Sequence, residues 1–127
     1  LRRHGGTIFG PQYHNHSFRL NKKTRLLAAK SAFAEKIRQE GIMVLDNLEI
    51  NDNKTKNLKT MLSKFNLPSK VLIVTDQISD NLRLASRNLN DVHVLSHRSL
   101  NVYELMRNNK VIFTKKALES FIERFKK

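Results

Sequence analysis

The feature that most constrains the fold is a repeated alternation between short apolar runs and stretches with helical spacing. Strand-like runs lie at 42–45, 71–75, 92–95 and 111–113, and each leads into a segment of helical or turn character. Parallel strands need long crossovers and are buried on both faces, so this alternation is typical of βαβ units. We predict an α/β fold, a Rossmann-like three-layer domain with a mostly parallel sheet of about four strands and four or five helices.

The first and last helices have a predicted core face, and the first apolar run is expected to be a buried strand. The first helix starts at Asn21 and stops before Gly41. The residues assigned to the core are Leu26, Ala29, Phe33 and Ile37 on this helix, and Ala117, Leu118, Phe121, Ile122 and Phe125 on the last.

A second feature is a strongly basic start: no acidic residue precedes Glu35. The whole chain has a net charge of +13, from 24 basic and 11 acidic residues. A surface this one-sided repels itself unless a polyanion covers it, which indicates a nucleic acid partner. Aromatic residues for base stacking and glycines for close backbone approach are interleaved with the basic ones. The irregular character of the segment favours structured RNA over duplex DNA.

The chain divides into two parts. Residues 1–20 hold a Gly-Pro breaker and no sustained periodicity, which predicts an extended loop, and residues 21–127 are predicted to form a single α/β globular domain. No apolar run is long enough for a transmembrane helix, and we expect no membrane partner. Because the chain starts at leucine, we expect it to be part of a longer protein.

Candidate catalytic residues are sparse. Asp46 and Asp76 follow two predicted strands, and side by side they would hold Mg²⁺ as in a metal-dependent nuclease or phosphatase. Polar residues also end strands simply because strands end in water. Ser96, His97 and Ser99 lie near each other in sequence, but no glycines frame a nucleophilic serine. There is no glycine after Gly41, which excludes a phosphate loop or dinucleotide fingerprint. We therefore expect no catalytic residue, no cofactor and no small-molecule substrate.

Three histidines lie within the basic loop. His14 and His16 would point to the same side of an extended segment, with His4 upstream. Zinc sites normally have three or four ligands, and no further ligand is indicated. Histidines among arginines more often contact phosphate or stack on a base, so we expect RNA contacts and no metal.

Ordered sequence blocks across the chain resemble the L-four family of large-subunit ribosomal proteins, of bacterial or organellar type. The blocks are Arg3-x-Gly5-Gly6-x-x-Phe9, Asn21-Lys22-Lys23, Ala28-x-Lys30-Ser31, Lys54-Thr55-Lys56, Leu72-Ile73-Val74, Asp80-x-Leu82, Ala85-x-Arg87-Asn88-Leu89, Asn101-Val102-Tyr103-x-Leu105 and Lys110-Val111-x-x-Thr114-x-x-Ala117. The resemblance implies an α/β globule with a long basic loop that runs through ribosomal RNA toward the peptide exit tunnel. It makes residues 1–20 the returning limb of that loop, and places the family's first strand, first helix and outgoing limb upstream of Leu1.

The resemblance implies a structural, non-catalytic role in the large ribosomal subunit. The expected partners are large-subunit ribosomal RNA and neighbouring ribosomal proteins, on ribosomes of the bacterial cytoplasm, the mitochondrial matrix or a plastid. The alternatives are a metal-dependent nuclease or phosphatase that uses Asp46 and Asp76, and a free regulator that binds RNA or DNA. This sequence departs from the family pattern at His14, where Arg is frequent, and at Asn21, which replaces a common proline and is expected to cap the helix. The residues expected to contact RNA are Arg2, Arg3, His4, Gly5, Gly6, His14, His16, Arg19, Lys22, Lys23, Arg25, Lys30 and Arg87.

Overall fold

The computed structural model describes residues 3–48, 50, 52–65, 67 and 70–126. Over these residues strands and helices alternate along the chain as predicted. The elements in chain order are α1 (Lys22–Arg38), β1 (Ile42–Leu45), α2 (Thr55–Lys64), β2 (Val71–Thr75), α3 (Asp80–Ser86), β3 (Val92–Ser96), α4 (Val102–Arg107), β4 (Lys110–Thr114) and α5 (Lys115–Lys126).

The strands form one sheet in the order β1-β4-β2-β3, and every described pairing is parallel. The chain crosses the sheet in one direction from β1 through β2 to β3 and then returns to β4. Because crossovers are right-handed, α2 and α3 lie on one face, and α4 lies on the opposite face with α1 and α5. This arrangement confirms the predicted three-layer α/β fold. Where a mostly parallel sheet was predicted, the observed one is parallel throughout its described pairs.

Successive residues of the central strands face opposite layers. Leu72 and Val74 pack with α1, α4 and α5, whereas Val71 and Ile73 pack with α2 and α3. An aromatic cluster then joins α1 to the sheet and to α5. The ring centroid of Phe33 lies 5.8 Å from that of Phe113 and 5.3 Å from that of Phe121. Edge-to-face pairs at these distances stabilise packing beyond the area they bury. They therefore hold α1, which directly follows the basic loop, on the domain.

The prediction of a buried strand at 42–45 is wrong in its burial, although its bounds are correct. β1 is an edge strand, its residues are at most half-buried, and Val44 is 47% exposed. An apolar run predicts a strand but does not say which strand will have a neighbour on only one side. Among the described helices, none is long and apolar enough to cross a membrane.

Two residues assigned to the core are instead exposed. Ile37 is 55% and Ile122 is 40% exposed, whereas the remaining residues of both stripes are buried or half-buried. At the end of α1 the buried position is taken by Lys36, which is only 5% exposed and donates a hydrogen bond from Nζ to the Asn108 carbonyl oxygen at 2.8 Å. The buried face of α1 therefore continues from Phe33 to Lys36 rather than to Ile37, because the carbonyl of Asn108, the residue after α4, accepts the lysine's hydrogen bond there.

Gly41 makes the tight connection from α1 to β1. A β-carbon at this position would lie 3.2 Å from the carbonyl oxygens of both Lys36 and Asn109. The Gly41 carbonyl in turn accepts a hydrogen bond from Val111 N at 2.7 Å, which brings β1 into register with β4. The predicted stop at Gly41 thus marks a close backbone approach.

Candidate nucleic-acid interface

The N-terminal segment, defined here as residues 3–20, is extended and exposed at every position. Phe9, Tyr13 and Phe18 are 92%, 102% and 82% exposed. Large apolar side chains this exposed are typical of a surface that binds a partner. Arg3 and Arg19 lie at either end of the segment, whereas Arg2 lies outside the described residues.

A local turn sets the start of the segment. His4 and Gly5 have φ angles of 60° and 44°, both in the left-handed region that favours glycine. A β-carbon at Gly5 would meet no atom within 4 Å, so glycine is favoured here by the positive φ and not by lack of space. The backbone at Gly5 is therefore accessible. Gly6 follows, also exposed.

The histidines at 14 and 16 face each other, as expected from their alternate positions. Their ring centroids are 4.0 Å apart, and His14 Nδ1 lies 3.2 Å from the Gln12 carbonyl oxygen. Since a carbonyl only accepts, this bond requires a proton on Nδ1. Within the described part of the chain, no group of three or more His, Asp or Glu side chains is placed to hold a metal ion.

The first half of α1 carries the densest positive charge. Lys22, Lys23, Arg25 and Lys30 are exposed, and the first turn contains no acidic residue. Asn21 lies at the N-cap position, as predicted, but its side chain makes no capping hydrogen bond. Cations beside the positive end of a helix dipole are unfavourable in the free protein. The same arrangement of N–H groups and cations binds anions readily.

The second half of α1 is different because its charge is partly neutralised. Arg38 Nη2 lies 2.7 Å from Glu35 Oε2, and Gln39 Nε2 donates to Glu35 Oε1 at 2.7 Å. The hydrogen bond from Arg38, and then that from Gln39, hold the pKa of the partly exposed Glu35 carboxyl below its ordinary value. Glu35 therefore remains charged at neutral pH and offsets Arg38, whereas the first half of α1 contains no acidic residue.

Lys30 has a contact within the domain as well as an exposed position. Its Nζ lies 5.8 Å from the centroid of the Phe125 ring, within the range of a cation–π interaction. The contact joins α1 to α5 and orients the amine without neutralising it.

Arg87 is placed apart from the other predicted residues. It follows α3, across the sheet from α1, and lines a groove of about 570 Å³ with Arg83, His93 and Arg107. Arg83 and Arg107 were not among the predicted site residues. Arg83 lies on α3 one turn before Arg87, so helical spacing alone brings these two together, whereas Arg107 comes from α4 and only the fold brings it to Arg87.

A further groove lies directly beside the cationic half of α1, and sequence reasoning did not find it. It has a volume of about 630 Å³ and lies between α1, α4 and the end of α5. Leu100, Val102 and Tyr103 contribute to one side, Leu20 and Leu26 to the other. The Asn101-Val102-Tyr103 block marked this stretch of sequence, but nothing in the sequence placed it against α1.

The acidic pair that suggested a metal-dependent enzyme is not brought together. Asp46 follows β1 and Asp76 follows β2, and β4 lies between those two strands. The expectation that they sit side by side is therefore wrong, because neighbours in sequence order are not neighbours in this sheet. Asp76 instead faces His97, with Oδ1 3.1 Å from Nδ1, although that approach is not aligned as a hydrogen bond.

Comparison with known proteins now identifies the family. The family model described as "Ribosomal protein L4/L1 family" matches residues 1–124. The chain belongs to this family. It is 41% identical over 118 residues to the "Large ribosomal subunit protein uL4" of Moorella thermoacetica, a match that covers 93% of this chain and 57% of the relative. It is 40% identical over 124 residues to the protein of the same name from Xanthobacter autotrophicus, covering 98% of this chain and 60% of the relative. The chain thus spans less than two thirds of the length of these relatives.

Proposed function

We propose that this chain is a structural constituent of the large ribosomal subunit that binds large-subunit ribosomal RNA and performs no catalysis. The observation that carries the proposal is the continuous exposed surface of the N-terminal segment and the first half of α1. This surface combines cations with exposed aromatic rings and contains no acidic residue, in a chain of a ribosomal protein family. Neutralisation of RNA phosphates would remove the self-repulsion of that surface.

The two parts of the chain have different roles in this proposal. The domain at 21–127 is the anchor, and α1 is fixed to it through the Phe33 cluster. Residues 1–20 are the returning limb of a loop that threads ribosomal RNA toward the peptide exit tunnel. The limb becomes ordered as it binds, which supports folding of the RNA during assembly. The protein acts on ribosomes of the bacterial cytoplasm or of an organelle, and neighbouring ribosomal proteins are further partners.

Individual side chains have distinct parts in RNA contact. Arg3, Arg19 and the cations of α1 neutralise phosphates, and the turn at His4 and Gly5 lets the backbone approach the phosphate chain. His14 and His16, as a facing pair, contact phosphate or stack on bases. Arg87 contacts RNA from its separate groove, which makes it a secondary attachment point.

The salt dependence of RNA affinity tests this mechanism. If about six phosphates are contacted, log affinity should fall with log salt concentration with a slope of roughly −4 to −5. Filter binding of isolated large-subunit ribosomal RNA across a range of KCl concentrations measures the slope. An affinity that does not change with salt would contradict phosphate neutralisation.

Removal of residues 1–20 tests the division of roles. We expect the free energy of unfolding of the shortened chain to differ from that of the full chain by no more than about 0.5 kcal/mol, because the described part of this segment is exposed throughout. Its RNA affinity at 0.15 M salt should fall roughly tenfold, since at least two phosphate contacts are lost. Urea denaturation and filter binding measure the two quantities. A large loss of stability would mean that the segment belongs to the folded domain.

Sedimentation of cell extracts separates this function from that of a free regulator. A subunit protein is expected to co-sediment with large ribosomal subunits at low salt and to leave them at high salt. A predominantly soluble pool under both conditions would favour the regulator.

A further inference from the structure

We propose that the groove between α1 and α4 receives an unpaired nucleotide of the bound RNA, with its base against Tyr103 and its phosphate at Lys22 and Arg25. This inference rests on the proposed function and specifies part of its ligand. It goes beyond phosphate neutralisation because it assigns a base-binding site to a part of the globular domain.

The groove has an apolar floor beneath an exposed aromatic ring. Leu100 is 3% exposed at its base, whereas Tyr103 on α4 is 66% exposed at its margin. A volume of about 630 Å³ lies within the range of sites that hold small organic ligands. An apolar floor with one accessible aromatic face suits a flat group whose faces are poorly hydrated, such as a nucleobase.

The rim of the groove is cationic on both sides. Lys22 and Arg25 line it from α1, and Arg124 lines it from α5. Arg124 is held in place by a hydrogen bond from Nη1 to the Leu100 carbonyl oxygen at 3.3 Å. A nucleotide joins a flat base to an anion, so it complements both the floor and the rim. An apolar protein helix would complement the floor but would leave the cations unpaired.

The groove is also continuous with the surface already assigned to RNA. Leu20, the last residue of the N-terminal segment, lines it, and Lys22 and Arg25 belong to both surfaces. On the far side, the Arg107 guanidinium lies 5.9 Å from the Tyr103 ring centroid, and Arg107 lines the groove that contains Arg87. The Tyr103 ring therefore lies between two cationic regions, where an RNA strand that touches both would pass.

Two substitutions at Tyr103 test whether an aromatic face is used. Base–aromatic stacking predicts that Tyr103→Leu weakens binding to large-subunit ribosomal RNA about tenfold at every salt concentration, with an unchanged salt slope. Tyr103→Phe keeps the ring and should bind as the unaltered chain does. Met106→Leu is the matched control, because Met106 is 53% exposed on the same helix and is not among the residues that line the groove. Equal affinities for Tyr103→Leu and the unaltered chain would overturn the inference while leaving the proposed function intact.

Tyrosine fluorescence gives a direct second readout. The chain has two tyrosines and no tryptophan, so Tyr13→Phe leaves Tyr103 as the only strong fluorophore. We expect a ten-nucleotide oligoadenylate to quench this emission, and the same strand paired with oligouridylate to quench it much less. Equal quenching by both, or quenching by neither, would overturn the inference. The proposed function fails separately, if the unaltered chain shows no salt-dependent binding to ribosomal RNA.

Discussion

Replacement of Lys22, Lys23 and Arg25 together by alanine is expected to reduce RNA affinity about a hundredfold at 0.15 M salt. Each phosphate contact contributes roughly 0.7 to 0.9 to the salt slope, so three lost contacts remove roughly two decades of affinity at this concentration. The three side chains are exposed at the first turn of α1, where no acidic residue opposes them. The slope itself should become shallower by roughly 2 to 3. Filter binding across a salt series measures both effects.

The matched control removes the same charge from the other face of the domain. Lys56, Lys59 and Lys64 are exposed on α2, which packs on the opposite side of the sheet from α1. Alanine at these three positions should reduce RNA affinity far less than the α1 substitutions do, and should leave most of its salt dependence unchanged. Equal losses in both variants would mean that net charge, not the α1 surface, drives binding. Circular dichroism of the α1 variant should show unchanged helix content, and reduced helicity would mean that the cations serve the fold.

The substitution Lys36→Ala is expected to lower the free energy of unfolding by about 2 to 3 kcal/mol. The Lys36 side chain is buried, and its Nζ donates to the Asn108 carbonyl oxygen. Alanine leaves that carbonyl without its donor, and also removes the packing of the lysine stem beside Gly41, where a β-carbon would lie 3.4 Å from Lys36 Cδ. Equilibrium unfolding in urea measures the change.

Two further variants separate the contributions. Lys36→Met keeps most of the stem and loses only the hydrogen bond, so it should cost about 1 to 2 kcal/mol. Lys59→Ala removes an exposed lysine and should change the free energy by no more than about 0.5 kcal/mol. A value for Lys36→Ala as small as that of Lys59→Ala would show that the buried contact contributes little. RNA affinity of folded Lys36→Ala should stay near that of the unaltered chain, since Lys36 is withdrawn from the surface.

The elements of this protein follow from local sequence because they depend on periodicity. Short apolar runs place β1 at 42–45 and β2 at 71–75, which are their observed bounds, and helical spacing places α1 between Asn21 and Gly41. The exposure of the N-terminal segment can also be predicted from sequence, because there is no apolar periodicity before Asn21. What local pattern does not contain is which strand becomes an edge, and for that reason the burial of 42–45 was overestimated.

The candidate interface likewise has features that local sequence reveals and features that only helix packing creates. The cations of α1 and the aromatic residues of the N-terminal segment were identified from composition alone, because a run without acids is visible in sequence. Tyr103 and Arg124 were missed, since they join that surface only when α4 and α5 pack beside α1. Lys36 was missed because neither the lysine nor its neighbours in sequence show that its side chain will donate a hydrogen bond to the Asn108 carbonyl oxygen.

By itself the sequence determined the class of fold, the positions of the elements and the cationic, aromatic character of the candidate interface. These properties depend on residue types at short spacing. Only the tertiary structure decided that β4 separates Asp46 from Asp76, that Arg87 lies across the sheet from α1, and that an apolar groove opens beside Lys22 and Arg25. Those relations are set by strand order and helix packing, which bring together residues that are distant in the chain.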